Sequence, residues 1–254
     1  MNNLISLENS SHPTGKIYPK RLVDKPIILH IETATDICSV ALSRGKQLLG
    51  LKEDANGYSH AEKLILFIQE LISSCDMIPE NLDAVCLSTG PGSYTGLRIG
   101  AATAKGLCYT TAIPLIAVTT LESIVAGARN RHKEDAFYYV PMIDARRMEV
   151  YTTLFDEKGN MIHDISAQVI DADSFQKLLQ QRRILFCGNG VPKCEPFLAA
   201  SPNALFDYTP LSAQFMIEKA YAKFALQQFE DIAYFEPFYL KEYIPGKATV
   251  KGLY

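Results

Sequence analysis

The chain has little net charge for its size. Its 254 residues include 25 Lys and Arg against 28 Asp and Glu, which gives a formal net charge of −3. A surface without a strong positive field does not hold a nucleic-acid backbone by itself. Any role with RNA would therefore require help from another protein.

Cysteine pairs at short spacing are also absent. No Cys-x-x-Cys motif occurs, and several of the cysteines lie in strongly apolar runs. Paired cysteines are the usual sign of a metal or redox site, whereas isolated cysteines in apolar runs are typical of reduced core thiols. The sequence therefore gives little support for a metal site or a disulfide among Cys38, Cys75, Cys86, Cys108, Cys187 and Cys194.

Long apolar runs are missing as well. None approaches the roughly 20 residues that a helix needs to cross a bilayer, and the N-terminus lacks the apolar stretch of a secretory signal. We therefore expect a cytoplasmic protein that does not enter the membrane. Residues 1–26 are polar and show no periodicity before Pro26, so we expect a flexible N-terminal extension there.

The chain contains the same pattern of strand-like runs at two places. The apolar run 27–31 is followed by Glu32, a turn and further strand-like runs, and the run 137–143 is followed in the same way by Asp144. An acid that closes the first strand of a repeated meander predicts two similar units facing each other across a cleft.

The repeat sets the expected domain boundaries. We expect a first half over residues 27–113 and a second half over residues 114–254, whose C-terminal helix returns toward the first half. Helical spacing and Gly or Pro punctuation between the strand-like runs indicate an α/β fold.

The most informative segment is the glycine-rich bend at residues 90–100, which joins an apolar strand to a helix of small residues. Such a bend faces either a phosphate or a closely packed second element. It lacks the Gly-Lys-Ser/Thr end of a Walker loop, and the spacing of Gly92 and Gly96 differs from the dinucleotide fingerprint. We favour close packing against another helix.

The helix predicted to start at His60 is apolar on more than one side. Leu64, Ile65 and Ile68 follow the spacing of a core-facing stripe, whereas Leu66 and Phe67 lie off it. A helix of this kind is covered by its own domain on one side and by a neighbouring element or another chain on the other.

Several short motifs lie along the chain. They are Glu32-Thr33-Ala34-Thr35, residues 90–107, Ile143-Asp144-Ala145-Arg146-Arg147 with Val150-Tyr151, Gly188-Asn189-Gly190, and Tyr239-Leu240-Lys241. Together they resemble the TsaB family, also called YeaZ, from about residue 27 to residue 241, and the glycine-rich central segment is specific. The resemblance implies an α/β fold of the actin-like ATPase (ASKHA) type, built from two ribonuclease-H-like halves.

The resemblance also implies a function. TsaB proteins are the non-catalytic dimerisation subunit of TsaD, which transfers a threonylcarbamoyl group to the adenosine beside the anticodon of certain tRNAs, and the ATPase TsaE joins that assembly. TsaD carries two metal-binding histidines where this chain has Thr120 and Ile124. Because neither side chain is a useful ligand for iron or zinc, we expect no catalysis, no metal and no cofactor here.

Two sets of site residues follow. The partner interface is expected on the helices over residues 60–74 and 97–111, where a charge at Leu64 or Ala101 should break the complex and leave the monomer folded. Its residues are His60, Leu64, Phe67, Ile68, Leu97, Gly100, Ala101 and Ala104. A vestigial nucleotide cleft is expected at Glu32, Thr33, Gly90, Gly92, Ser93, Asp144, Gly188 and Gly190.

Alternatives stay open from the sequence. Glu32 and Asp144 are either facing ligands for magnesium or strand-end acids that are hydrogen-bonded to the next turn. The first option would make the chain a nucleotide-dependent kinase or acyl-transfer enzyme of the same fold. In the scaffold reading, tRNA is reached only through the complex, and the apolar surface pairs with itself into a homodimer when the chain is alone.

Overall fold

The computed structural model describes residue 17 and residues 23–55, 60–133 and 137–241. Within them, ten strands form two five-stranded sheets accompanied by six α-helices. Most of the expected N-terminal extension (residues 1–26) and the chain after Lys241 lie outside the described residues. No helix in the described part is long and apolar enough to cross a membrane.

The first sheet has the strand order β3-β2-β1-β4-β5. β2 pairs antiparallel with both β1 and β3, so the predicted meander is confirmed, and β1 also pairs parallel with β4. Its elements are β1 (Ile27–Glu32), β2 (Cys38–Arg44), β3 (Gln47–Asp54), α1 (His60–Ser74), β4 (Ala84–Ser88), α2 (Tyr94–Thr111) and β5 (Leu115–Val118).

The second sheet repeats this order as β8-β7-β6-β9-β10, with β6 antiparallel to β7 and parallel to β9. The duplicated topology confirms the predicted α/β fold of actin-like ATPase type. Its elements are α3 (Thr120–Arg131), β6 (Tyr138–Asp144), β7 (Glu149–Thr152), β8 (Ser166–Val169), α4 (Gln176–Leu179), β9 (Ile184–Cys187), α5 (Val191–Leu198), β10 (Ala204–Asp207) and α6 (Ile217–Ala225).

Both faces of the first sheet are covered. α1 and α2 pack on one face around a core that includes Leu29, Leu64 and Leu87. On the other face, Ile28 and Ile116 contact side chains from the C-terminal part of the chain, which come from a short 3-10 turn and from α6. The sheet is therefore completed by residues that follow the second sheet in sequence.

After α6 the chain crosses back over both halves. We call residues 229–241 the C-terminal strap. Its backbone bonds to the first half, where Phe238 N donates to Thr89 O at 2.7 Å and the Tyr239 ring lies 4.9 Å from that of Tyr94. At its end, Lys241 forms an ion pair with Glu149 of the second half. The strap therefore connects the two halves across the glycine-rich bend.

Candidate functional site

The glycine-rich bend lies against the turn that follows β1, which we call the 33–35 turn. Ser93 N donates a hydrogen bond of 2.6 Å to Ala34 O, and the Thr33 hydroxyl donates one of 2.8 Å to Gly96 O. The start of α2 is therefore bonded directly to a turn about sixty residues earlier in the chain.

Three glycines make this contact possible. A Cβ atom would lie 2.2 Å from Ala34 O at Gly92, 2.1 Å from Thr33 O at Gly96, and 2.4 Å from Thr33 Oγ1 at Gly100. No side chain fits at such distances, so these positions require glycine for close approach. The prediction of close packing is thus correct, but the closely packed element is a turn of the same half and not another helix.

The strap covers the bend at Gly90. A Cβ atom on Gly90 would lie 2.8 Å from Phe238 O, and the φ angle of +106° is one that favours glycine. At the start of α2, Ser93 caps the helix through a 3.3 Å bond from Gly96 N to its hydroxyl. The chain's own backbone and side chains therefore occupy donors that a phosphate would need.

Glu32 is a buried acid with one satisfied oxygen. Its Oε1 accepts a 2.7 Å hydrogen bond from Ala34 N, whereas Oε2 has no hydrogen-bond partner. Burial raises the pKa of Glu32 to about 7, and the bond from Ala34 opposes only part of that shift. This carboxyl group therefore takes up a proton more readily than an ordinary glutamate.

Asp144 lies on the other half and is already paired. Its Oδ1 accepts hydrogen bonds from Lys193 Nζ and from Arg146 N. Lys193 also donates to Arg147 O and Glu149 O at 3.0 and 2.7 Å, which fixes the turn between β6 and β7. This arrangement is that of a strand-end acid bonded to the following turn.

The second glycine turn packs on the end of β6. Gly190 N donates to Met142 O at 3.0 Å, and a Cβ atom on Gly188 would lie 2.6 Å from the same oxygen. Asn189 Oδ1 accepts from Asp144 N at 3.0 Å. The predicted cleft residues therefore form two clusters, one in each half.

A cavity of about 310 Å³ lies between the halves. Of the predicted cleft residues, Gly188 lines this cavity, whereas Glu32 and Thr33 are fully buried and do not line it. Sequence reasoning did not assign the other lining residues to the cleft, although Thr35 and Asn189 lie in the motifs quoted above and Ile124 was singled out for a different reason. The other lining residues are Thr35, Asp36, Ile37, Ala55, Ile124, Asn189, Pro192, Tyr208, Thr209, Pro210 and Leu211.

Thr120 and Ile124 both have structural roles, and Ile124 lines the cavity. The hydroxyl groups of Thr120 and Ser88 lie 2.9 Å apart and tie α3 to β4, while Ile124 contributes an apolar wall. Thr119 and Glu122 form a capping box at the start of α3. Among the described residues, no group of three or more His, Cys, Asp and Glu side chains is arranged to hold a metal ion.

The predicted interface residues require a correction. Most of them face the sheet, because their spacing along α1 and α2 is that of the core-facing stripe and the small residues accommodate the 33–35 turn. Phe67 is partly buried against the same core. The predicted interface residues that are buried inside the first half are His60, Leu64, Ile68, Leu97, Gly100, Ala101 and Ala104.

The surface that the two helices do expose lies on the opposite side. On α1, Ile65 is 45% and Leu66 53% exposed, so Ile65 does not belong to the core-facing stripe in which it was expected. On α2, Ala102, Gly106 and Tyr109 are exposed one turn after another. We call these five residues the outer face of α1 and α2.

The fold and the cleft define a class of protein, namely an α/β protein of actin-like ATPase type with two similar halves. Its glycine-rich turns at the cleft pack against other segments of the same chain. A family model for "TsaD: tRNA N6-adenosine threonylcarbamoyltransferase" matches residues 54–238. The tRNA threonylcarbamoyladenosine biosynthesis protein TsaB of Bacillus subtilis is 33% identical over 64% of this chain and 70% of that protein.

The TsaB protein of Haemophilus influenzae is 27% identical over 87% of this chain and 95% of its own length. The solved structure of YeaZ from Pseudomonas aeruginosa superposes with a TM-score of 0.72 at 23% identity, over 85% of this chain and all of that one, which shows the common fold. The chain belongs to the TsaB family and takes part in the biosynthesis of threonylcarbamoyladenosine in tRNA.

Proposed function

We propose that this chain is a non-catalytic dimerisation subunit. It binds a TsaD-type transferase and supports threonylcarbamoylation of the adenosine next to the anticodon. A TsaE-type ATPase joins the assembly, tRNA is reached through the complex, and the work takes place in the cytoplasm. When the partner is missing, the same surface pairs two copies of this chain.

The outer face of α1 and α2 carries this proposal. Ile65 and Leu66 are consecutive large aliphatic side chains that are about half exposed, and the exposed side of α2 carries the small residues Ala102 and Gly106 and the 78% exposed ring of Tyr109. Because exposed apolar groups next to small residues let another helix approach closely, this face suits helix-to-helix docking. A two-helix face of this kind can contribute to an interface of the standard size, about 1,600 Å² in total.

The cleft supports the non-catalytic part of the proposal. Ala34 N is bonded to Glu32 and Ser93 N to Ala34 O, so these donors are used within the chain. Asp144 is neutralised by Lys193. The alternative of a nucleotide-dependent kinase or acyl-transfer enzyme needs these groups for phosphate and magnesium, so it is less well supported.

The interface test places a charge on the outer face. Leu66→Arg should leave the unfolding temperature nearly unchanged, because the side chain is exposed, and should abolish binding to the TsaD-type protein of the same organism in calorimetry. Val169→Arg is the matched control, since Val169 is 65% exposed on β8 of the second half. Unchanged partner binding by Leu66→Arg would refute this placement of the interface.

A separate measurement tests the absence of catalysis. The purified chain is titrated with ATP and magnesium in a calorimeter and assayed for hydrolysis. We expect neither heat nor turnover. Micromolar binding accompanied by turnover would favour the enzyme.

A further inference from the structure

The 33–35 turn is bonded to both helices that carry the outer face. Thr33 and Ala34 bond to the start of α2, as described above. Thr35 O bonds to Nε2 of His60, the first residue of α1, at 2.9 Å. Three consecutive residues therefore hold the starts of two helices, one 25 and the other about 60 residues further along the chain.

The turn itself is fixed from behind. Glu32 Oε1 holds Ala34 N at 2.7 Å, and Thr33, Glu32 and Ala34 are at most 1% exposed. In front, the glycines of the bend leave no room for it to move toward α2. Such a closely packed contact is not continuously deformable, so a shift of the turn is passed on to the helices.

We propose that the 33–35 turn is a positioning element for partner binding, which sets the placement of α1 relative to α2 and thereby the shape of the outer face. The inference rests on the function proposed above. A partner that contacts both helices packs against side chains from each, and interface cores are packed as densely as protein interiors. Because Thr35 also lines the cavity between the halves, the same turn connects the cavity to the outer face.

The test compares two buried helix glycines in the full-length chain. Gly96→Ala places a methyl group against Thr33 O and displaces the turn. Gly127→Ala in α3 places one 2.6 Å from the Phe215 ring and does not touch the turn. Both should lower the unfolding temperature. Gly96→Ala alone should weaken binding to the TsaD-type protein, by about tenfold or more, while Gly127→Ala stays within about twofold of the unsubstituted chain.

A milder pair covers the case in which Gly96→Ala does not fold. Thr33→Val removes only the hydroxyl that donates to Gly96 O, and Thr33→Ser keeps a hydroxyl at that position. We expect about fivefold weaker partner binding for Thr33→Val and recovery with Thr33→Ser. Equal affinities for Thr33→Val, Gly96→Ala and the unsubstituted chain would overturn the positioning role and leave the proposed function intact.

Loss of affinity in Gly127→Ala as large as in Gly96→Ala would also overturn it, because stability would then explain both. If the unsubstituted chain does not bind the TsaD-type protein, the proposed function fails first and this inference fails with it.

Discussion

Glu32 gives the most direct test of how the first half is held together. Burial raises its pKa to about 7, from 4.5 for an ordinary glutamate, so the folded chain binds more protons than the unfolded chain between these values. Stability contributed by the protonated form is present in full below pH 4.5 and is lost as the pH rises through 7. The total loss is about 3 kcal/mol, at about 1.4 kcal/mol per pH unit.

Glu32→Gln removes this dependence and keeps an oxygen for Ala34 N. The new amide replaces Oε2, which has no partner, so a constant cost of about 1 to 3 kcal/mol is expected at every pH. The informative quantity is therefore how the difference in unfolding free energy between the two proteins changes with pH, and not its size at any one pH. The unfolding free energy of Glu32→Gln minus that of the unsubstituted chain should rise by about 3 kcal/mol from pH 4.5 to pH 7.5.

Urea unfolding followed by circular dichroism measures this difference, and values near pH 4 serve as the internal reference. His30 provides a second signature, because burial lowers its pKa to about 3 and destabilises the fold as the pH falls below 6.5. The unfolding free energy therefore rises with pH because of His30 and falls with pH because of Glu32 in the unsubstituted chain. In Glu32→Gln only the rise due to His30 remains. A difference that stays flat or declines with pH would refute the assignment of a buried, readily protonated Glu32.

Two further predictions concern the core. In urea unfolding, Leu64→Asp should destabilise the chain by more than about 3 kcal/mol, because it buries a charge. Ile65→Asp on the same helix should change the unfolding free energy by less than about 0.5 kcal/mol. Similar effects of the two substitutions would contradict the orientation of α1. Iodoacetamide should modify half-buried Cys75 in the native protein. Cys38 and Cys108 should react only after unfolding, because burial raises their thiol pKa values to about 11 and about 12. Rapid native labelling at Cys108, detected by mass spectrometry, would contradict its burial.

The repeated strands could be read from the sequence because their signals are local. Apolar runs that end in Glu32 or Asp144 define β1 and β6, and the two sheets follow from the repeat. Strand lengths are harder to predict: β8 is confined to Ser166–Val169, and the preceding Met161 forms an isolated bridge to Phe155.

The contacts of the site were less accessible to sequence reasoning. Glycines at positions 92, 96 and 100 indicate a close approach, but nothing local shows that a turn sixty residues earlier is the element that approaches. The helix pattern of α1 has a wide apolar stripe, so Ile65 was counted with the core although it faces outward. The cavity gathers residues from several segments, and no single motif contains them.

The covering of the first sheet by α6 has a consequence for biosynthesis. During translation, the N-terminal strands leave the ribosome long before Ala220, Phe224 and Phe229 exist to shield Ile28 and Ile116. A nascent or truncated chain that stops before α6 would thus leave an apolar face of the first sheet exposed to solvent. The first sheet therefore completes its packing only after α6 has been synthesised.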